Sequence, residues 1–163
     1  DQNRCGIRAA DAHAIDIAPQ AIRLRSRLAE VVTIAAGSRA GEIEVSVSGP
    51  DEAVVDPAVL EHIVTNLVTN ALRYGRAPVL VSAAVVDGRL CLTVEDAGPG
   101  VAREIEETLF ERFTRAGVAR DRVAGTGLGL AIARAYALAH RGELRYERGQ
   151  PGGARFVVEL PSV

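Results

Sequence analysis

Apolar positions recur along this chain with two different periods, and the changes of period mark its elements. From Pro19 to Ala35, the residues Leu24, Leu28, Val31 and Ala35 follow at intervals of 4, 3 and 4, which predicts an amphipathic helix whose first turn accommodates Pro19. Ser38 to Gly41 ends it. Glu42 to Ser48 then alternates strictly between polar and apolar, as a half-buried strand does, and a short strand from Ala53 to Val55 follows the turn Gly49-Pro50-Asp51. Asp56-Pro57 predicts the start of a second helix. The aspartate offers a side-chain acceptor at the N-cap, and the proline lacks an N–H that a first turn does not use. Leu60, Ile63, Val64, Leu67, Val68 and Ala71 carry the apolar face of that helix, and Gly75 closes it.

Val79 to Val86 and Arg89 to Glu95 are β-rich runs joined by Asp87-Gly88, a dipeptide suited to the tightest hairpin turn. Residues 97 to 126 are rich in glycine and charge and hold one short helical stretch near Glu104 to Arg112. A connection this long is functional or mobile rather than merely structural. A third helix runs from about Leu128 to His140, with Gly142 expected at the left-handed C′ position. Strands near Glu143 to Arg148 and Arg155 to Leu160 then flank the turn Gln150 to Gly153. Residues 1–14 show no pattern and read as a linker or disordered lead-in to a single domain over 15–163. The whole predicts an α+β fold: a two-layer sandwich of about five strands, mixed but mostly antiparallel, with three helices on one face.

Composition narrows the function. With 163 residues the chain can bury one real core, and 48% hydrophobic against 25% charged residues excludes a disordered chain. Only 4% are aromatic, so Val, Leu, Ile and Ala must build that core. A net charge of −2 and a pI near 6.0 argue against nucleic acid as the partner. Cys5 and Cys91 are far apart and form no metal or disulfide pattern, which suits a reducing, cytoplasmic setting. No apolar run approaches the roughly 18 residues that cross a bilayer. The beginning, without an initiator Met, reads as the edge of a piece from a longer protein.

Four groups of residues can carry chemistry. Asn66, Asn70 and Arg73 fall on one stripe of the second helix, with Tyr74 beside them. Asparagine is a poor helix former, so two inside a strong helix suggest a compensating role such as cation or phosphate contact. Asp96-Ala97-Gly98-Pro99-Gly100 follows a strand directly; a carboxylate there can accept from an amino group such as that of adenine, and the glycines let a ligand approach the backbone. Gly125-Thr126-Gly127-Leu128-Gly129 runs into the third helix, leaving amides free for phosphate. Leu130-Ala131 after it excludes a Walker loop, and the missing glycine at 130 excludes a dinucleotide fingerprint. Between these groups, Leu109 to Arg115 places Phe110 and Phe113 in the long loop, and Arg112, Arg115, Arg120 and Arg122 make its second half net positive. Singly, each group also suits an ordinary helix side, a turn or a charged loop.

Jointly and in this order, HIVTNLVTNALRYG, DAGPG, LFERFTR and GTGLGLAIARAYALAHRG resemble the N, G1, F and G2 boxes of the catalytic ATP-binding domain of sensor histidine kinases, within the group that includes gyrase and the Hsp90 chaperones. The resemblance spans about residues 15 to 160. It implies a Bergerat-type sandwich with a long mobile ATP lid, and ATP and Mg²⁺ as ligands. It places Asn70 on the metal and Asn66 in the same site, Arg73 on phosphate, Tyr74 beside adenine, and Asp96 on the adenine amine. Gly98 and Gly100 let the base approach, and the run from Gly125 through Thr126, Gly127 and Leu128 to Gly129 forms the phosphate side of the lid. Phe110 and Phe113 anchor that lid, Arg115 reaches the γ-phosphate, and Asn66, Arg73 and Arg115 are the residues implied in catalysis. Ala154 stands where the family often has Thr, and Ala97 replaces a commoner polar residue.

The family's phosphoacceptor is missing from the chain. His13, His62 and His140 lie outside any dimerisation-helix motif, so they read as surface or structural histidines. The resemblance therefore implies a catalytic domain that donates the γ-phosphoryl group to a histidine on separate dimerisation helices. It further implies a response regulator reached through the full kinase, a homodimeric parent in the inner membrane, and a monomeric, cytoplasmic fragment. The alternatives are an ATPase-type conformational switch and an anti-sigma-type serine kinase. Asn66 weighs against the first, because hydrolytic relatives carry a glutamate base four residues before the metal-binding Asn.

Overall fold

A computed structural model describes residues 15–111, 129–149 and 152–162. Phe113, Arg115, Gly125, Thr126, Gly127 and Leu128, with most of the expected lid, lie outside the described residues. The elements are β1 (Gln20–Arg23), α1 (Leu24–Ala36), a 3₁₀ turn (Gly37–Glu42), β2 (Ile43–Ser48), β3 (Glu52–Val55), α2 (Pro57–Tyr74), β4 (Val79–Val86), β5 (Arg89–Glu95), the short α3 (Arg103–Glu106), α4 (Gly129–Ala139), β6 (Glu143–Arg148) and β7 (Ala154–Pro161).

Five strands form one sheet in the order β2-β4-β5-β7-β6, in which only β2 and β4 run parallel. The mixed, mostly antiparallel sheet is therefore as expected. β4 and β5 are joined by Asp87-Gly88, both with positive φ (52° and 74°), and pair from Val86↔Arg89 outward. This is the mirror-image turn that matches the twist of a hairpin. Val79, Val81, Leu90, Leu92, Val94, Phe156, Val158 and Leu160 are buried beneath the helices, so one aromatic ring suffices in an aliphatic core. The opposite face carries a charge network in which Arg145 donates to Glu143, Glu147 and Glu159, and Arg89 approaches Glu159.

Two boundaries differ from the periodicity. The helix expected from Pro19 begins only at Leu24, because Gln20–Arg23 pairs antiparallel with Glu52–Val55 and buries Ile22. Its cap comes from elsewhere: Asp51 accepts from the Leu24 amide through its carbonyl (2.7 Å) and from the Arg25 amide through Oδ1 (2.8 Å). At the end of α4 the left-handed residue is Arg141 (φ 66°), not Gly142. The Arg141 amide donates to Leu138 and the Gly142 amide to Ala137, closing a Schellman motif one residue early. Gly142 is required for another reason, since a Cβ there would collide with the carbonyl of Glu159.

The start of α2 is as expected and ties the domain together. Asp56 Oδ1 accepts from the amides of Ala58 (2.9 Å) and Val59 (3.3 Å), while Oδ2 accepts from the amide of Ala18 (2.7 Å). The Asp56 amide in turn donates to Nε2 of buried His140 at 3.1 Å, joining the start of α2 to the end of α4. Burial pushes the Asp56 carboxyl up, but the amide bonds from Ala18, Val59 and Ala58 outweigh it and hold the carboxyl below its ordinary value. A depressed carboxyl adds stability above its unfolded-state pKa and loses it as pH falls through the folded one, here below about pH 4. Asp56→Ala is therefore expected to lower stability by about 1–2 kcal/mol at neutral pH, and to flatten the acid limb of a denaturation-versus-pH series.

Candidate functional site

The apolar stripe of α2, from Val59 to Ala71, is buried against the sheet, α1 and α4. That orientation leaves Asn66, Asn70 and Arg73 on the other side of the same helix. Asn66 Nδ2 donates to the carbonyl of His62 at 2.8 Å, which turns its Oδ1 to the other side. That oxygen faces the first residue of α4, where a Cβ on Gly129 would lie 3.3 Å away. His62 itself stacks on Tyr136 of α4 at 4.5 Å. The amides of α2 and the positive end of α4 thus converge, an arrangement that suits bound anions and a cation between them.

One turn further along α2 lies a small cavity lined by Asn70, Tyr74, Gly75, Asp96, Gly100, Val101 and Ala154. Four of the expected residues, Asn70, Tyr74, Asp96 and Gly100, therefore meet at one place. Its volume is about 30 Å³, room beside Asp96 for the edge of a ligand rather than for a whole purine. Asp96 is only 8% exposed, and its Oδ1 accepts from the Gly98 amide at 2.7 Å, which orients the carboxylate and leaves Oδ2 to accept from a ligand. Its backbone is fixed as well, the Asp96 amide donating to Ala154 (3.0 Å) and the Ala97 amide to Arg76 (2.8 Å).

From the sequence Gly75 reads as a helix end and Gly153 as part of a turn, yet both also pack against Asp96. A Cβ on Gly75 would fall on the Asp96 carboxylate, and one on Gly153 would fall on the Asp96 carbonyl. Their signal lies in a close approach between segments distant in sequence. Ala154, at the position where the family often has Thr, lines the cavity. Phe110 meets Phe156 edge-on at 6.2 Å, with the Arg134 guanidinium 5.9 Å from its ring, so the first part of the expected lid is anchored on the core. Arg73 occupies the last turn of α2, and Gly98 flanks Asp96.

Comparison with known proteins identifies the family and the fold. Residues 55–163 match the family described as histidine kinase-, DNA gyrase B-, and HSP90-like ATPase. The signal transduction histidine-protein kinase AfsQ2 of Streptomyces coelicolor is 42% identical over 109 residues, covering 67% of this chain and 20% of that protein. The sensor histidine kinase CpxA of Escherichia coli K12 is 43% identical over 114 residues, covering 69% and 25%. Among solved structures, full-length ShkA in complex with AMPPNP superposes with a TM-score of 0.76 at 28% identity, over 95% of this chain and 34% of that one. The mycobacterial sensor histidine kinase MprB gives 0.69 at 26%, over 89% and 98%.

The chain belongs to the histidine kinase-, DNA gyrase B- and HSP90-like ATPase family, and its fold is that of histidine kinase catalytic domains. It spans a fifth to a quarter of the length of the curated relatives AfsQ2 and CpxA.

Because the Asp96 carboxylate rests directly on the Gly75 backbone, Gly75→Ala should displace it. The expected cost is about 1–3 kcal/mol in chemical denaturation, typical of overpacking a tight contact, and Gly41→Ala, where a Cβ meets nothing, serves as the comparison.

Proposed function

We propose that the domain at 15–163 binds Mg-ATP and donates its γ-phosphoryl group to a histidine on separate dimerisation helices of a two-component sensor kinase. The observation that carries this reading is Asn66. Its amide is tied to the His62 carbonyl at the mouth of α4 and has no basic atom with which to take a proton from water. A site that binds nucleotide without a hydrolytic base suits transfer to an external nucleophile better than an ATPase cycle.

In this mechanism Asp96 reads the base by accepting from its exocyclic amine, with Tyr74 beside the ring and Gly98 and Gly100 admitting it. Among the described residues no cluster of three His, Cys, Asp or Glu could hold a metal. Asn70 offers a neutral amide oxygen, with Asn66 beside it, and this donor set fits Mg²⁺, which keeps water and phosphate oxygens as its other ligands. Bound there, the ion would neutralise charge on the β- and γ-phosphates. Arg73 and Arg115 supply further positive charge to the phosphates, and the amides from Gly125 to Gly129 cradle them, with Phe110 and Phe113 anchoring the lid. The incoming histidine nitrogen forms the new P–N bond as the bond to the ADP oxygen breaks; positioning and charge neutralisation are the protein's contribution.

No described helix is long and apolar enough to cross a membrane. We assign this domain to the cytoplasmic side of an inner-membrane, homodimeric parent that passes phosphate to a response regulator, with the fragment itself monomeric.

The decisive experiment supplies the dimerisation helices of a relative together with γ-labelled ATP: acid-labile label on their histidine is expected, and label released only as free phosphate would favour the ATPase reading. Asn70→Ala should weaken nucleotide binding about tenfold or more in Mg²⁺ and much less in EDTA, as read by titration of a fluorescent ATP analogue.

Base choice tests Asp96. Guanine presents a carbonyl where adenine presents an amine, so ATP should outcompete GTP by at least roughly tenfold, and Asp96→Asn, whose amide can donate, should erode that preference together with ATP affinity. An unchanged preference in competition binding would remove Asp96 from base recognition.

A further inference from the structure

Gly100 and Val101 line the same cavity as Asp96, and Val101 is held by side chains of β6. The Val101 amide donates to the Tyr146 hydroxyl at 3.1 Å, and Arg148 Nη2 donates to the Val101 carbonyl at 3.1 Å. The same Nη2 reaches Glu106 of α3 at 2.6 Å. Val101 is 4% exposed and belongs to no helix or strand, so both its backbone groups depend on these side chains for partners. Arg148 also lies against Gly100, where a Cβ would sit 3.1 Å from Nη1; Gly100 has a φ of 80° that favours glycine. Tyr146 is itself fixed, its ring 5.5 Å from that of Phe156, which in turn holds Phe110.

One guanidinium therefore joins the turn after Asp96, the cavity wall and the helix that leads toward the lid. Asp96 is immobilised on the other side by Gly75, Gly98 and Ala154. With one side of the cavity fixed, its width depends on where Val101 stands. A cavity so small is sensitive to displacements of a few tenths of an ångström.

We propose that Arg148 and Tyr146 are positioning residues for the nucleotide base, setting the Gly100–Val101 wall at its distance from Asp96 without lining the cavity themselves. The inference rests on the nucleotide reading of this site. Because the wall shares its cavity with Asp96, the proposed base reader, its placement governs affinity shared by di- and triphosphate. Glu106 acts through Arg148, holding the guanidinium against the loop.

The test is binding of ADP and of a non-hydrolysable ATP analogue to the chain, its variants Tyr146→Phe, Arg148→Ala and Arg148→Lys, together with hydrogen exchange at the Val101 amide. Tyr146→Phe keeps the ring and removes only the acceptor. Loss of one net hydrogen bond predicts a Kd raised about threefold to tenfold for Tyr146→Phe and Arg148→Ala, by the same factor for both nucleotides, with faster exchange at Val101. Arg148→Lys, which keeps a cation for Glu106 and one donor, should recover part of the loss. Unchanged affinity in Tyr146→Phe and Arg148→Ala while the wild type binds would overturn the positioning role, as would a loss confined to the triphosphate analogue. A wild-type chain that binds neither nucleotide would instead overturn the nucleotide reading itself.

Discussion

The architecture depends on the two-sidedness of α2. Leu60, Ile63, Val64, Leu67 and Val68 are all fully buried, and each such side chain contributes about 1.5–3 kcal/mol of transfer free energy. This fixes the rotation of the helix about its axis. Asn66 consequently faces the start of α4, and Asn70 lines the cavity at Asp96. The amide of Asn66 would be unfavourable on the buried side, and the leucines would be unfavourable on the other. The burial that stabilises the helix therefore also sets which residues it turns away from the core.

A second tie acts at the far end of α2. Asp56 caps the helix, receives the amide of Ala18 and gives its own amide to His140, so the leading segment, the start of α2 and the end of α4 meet at one residue. His140 accepts through Nε2, which leaves the proton of the neutral ring on Nδ1, a buried atom with no partner among the described residues. The start of α2 and the end of α4 are thus joined at the ends far from Asn66 and Gly129.

The features legible in the sequence are those whose cause is local. Asp56-Pro57 carries its cap with it, Asp87-Gly88 determines its turn, and the alternation in β5 follows from one buried face. The DAGPG and N-box residues that meet at the cavity were legible because four motifs in order carry more information than any one of them. What was hidden depends on distant partners. Gln20–Arg23 becomes a strand because Glu52–Val55 is there to pair with it, and α1 begins where Asp51 offers its carbonyl and carboxylate. Gly75 and Gly153 show no periodicity, and their need for glycine exists only once Asp96 is folded against them. Arg148 and Tyr146 read as ordinary strand residues until Val101 is seen between them.

Both edge strands of the sheet also carry features that disfavour further pairing. At one end, the guanidinium of Arg25 donates to the Val47 carbonyl of β2 at 2.9 Å. At the other, β6 carries Glu143, Arg145 and Glu147, and its Arg148 is turned to the loop. Exposed strand edges invite a neighbouring chain to extend the sheet, and charged side chains with occupied carbonyls oppose this. A domain guarded in this way can be crowded beside a second copy of itself, at the millimolar local concentrations a short tether imposes, and still meet its neighbour through side chains alone rather than by backbone zippering.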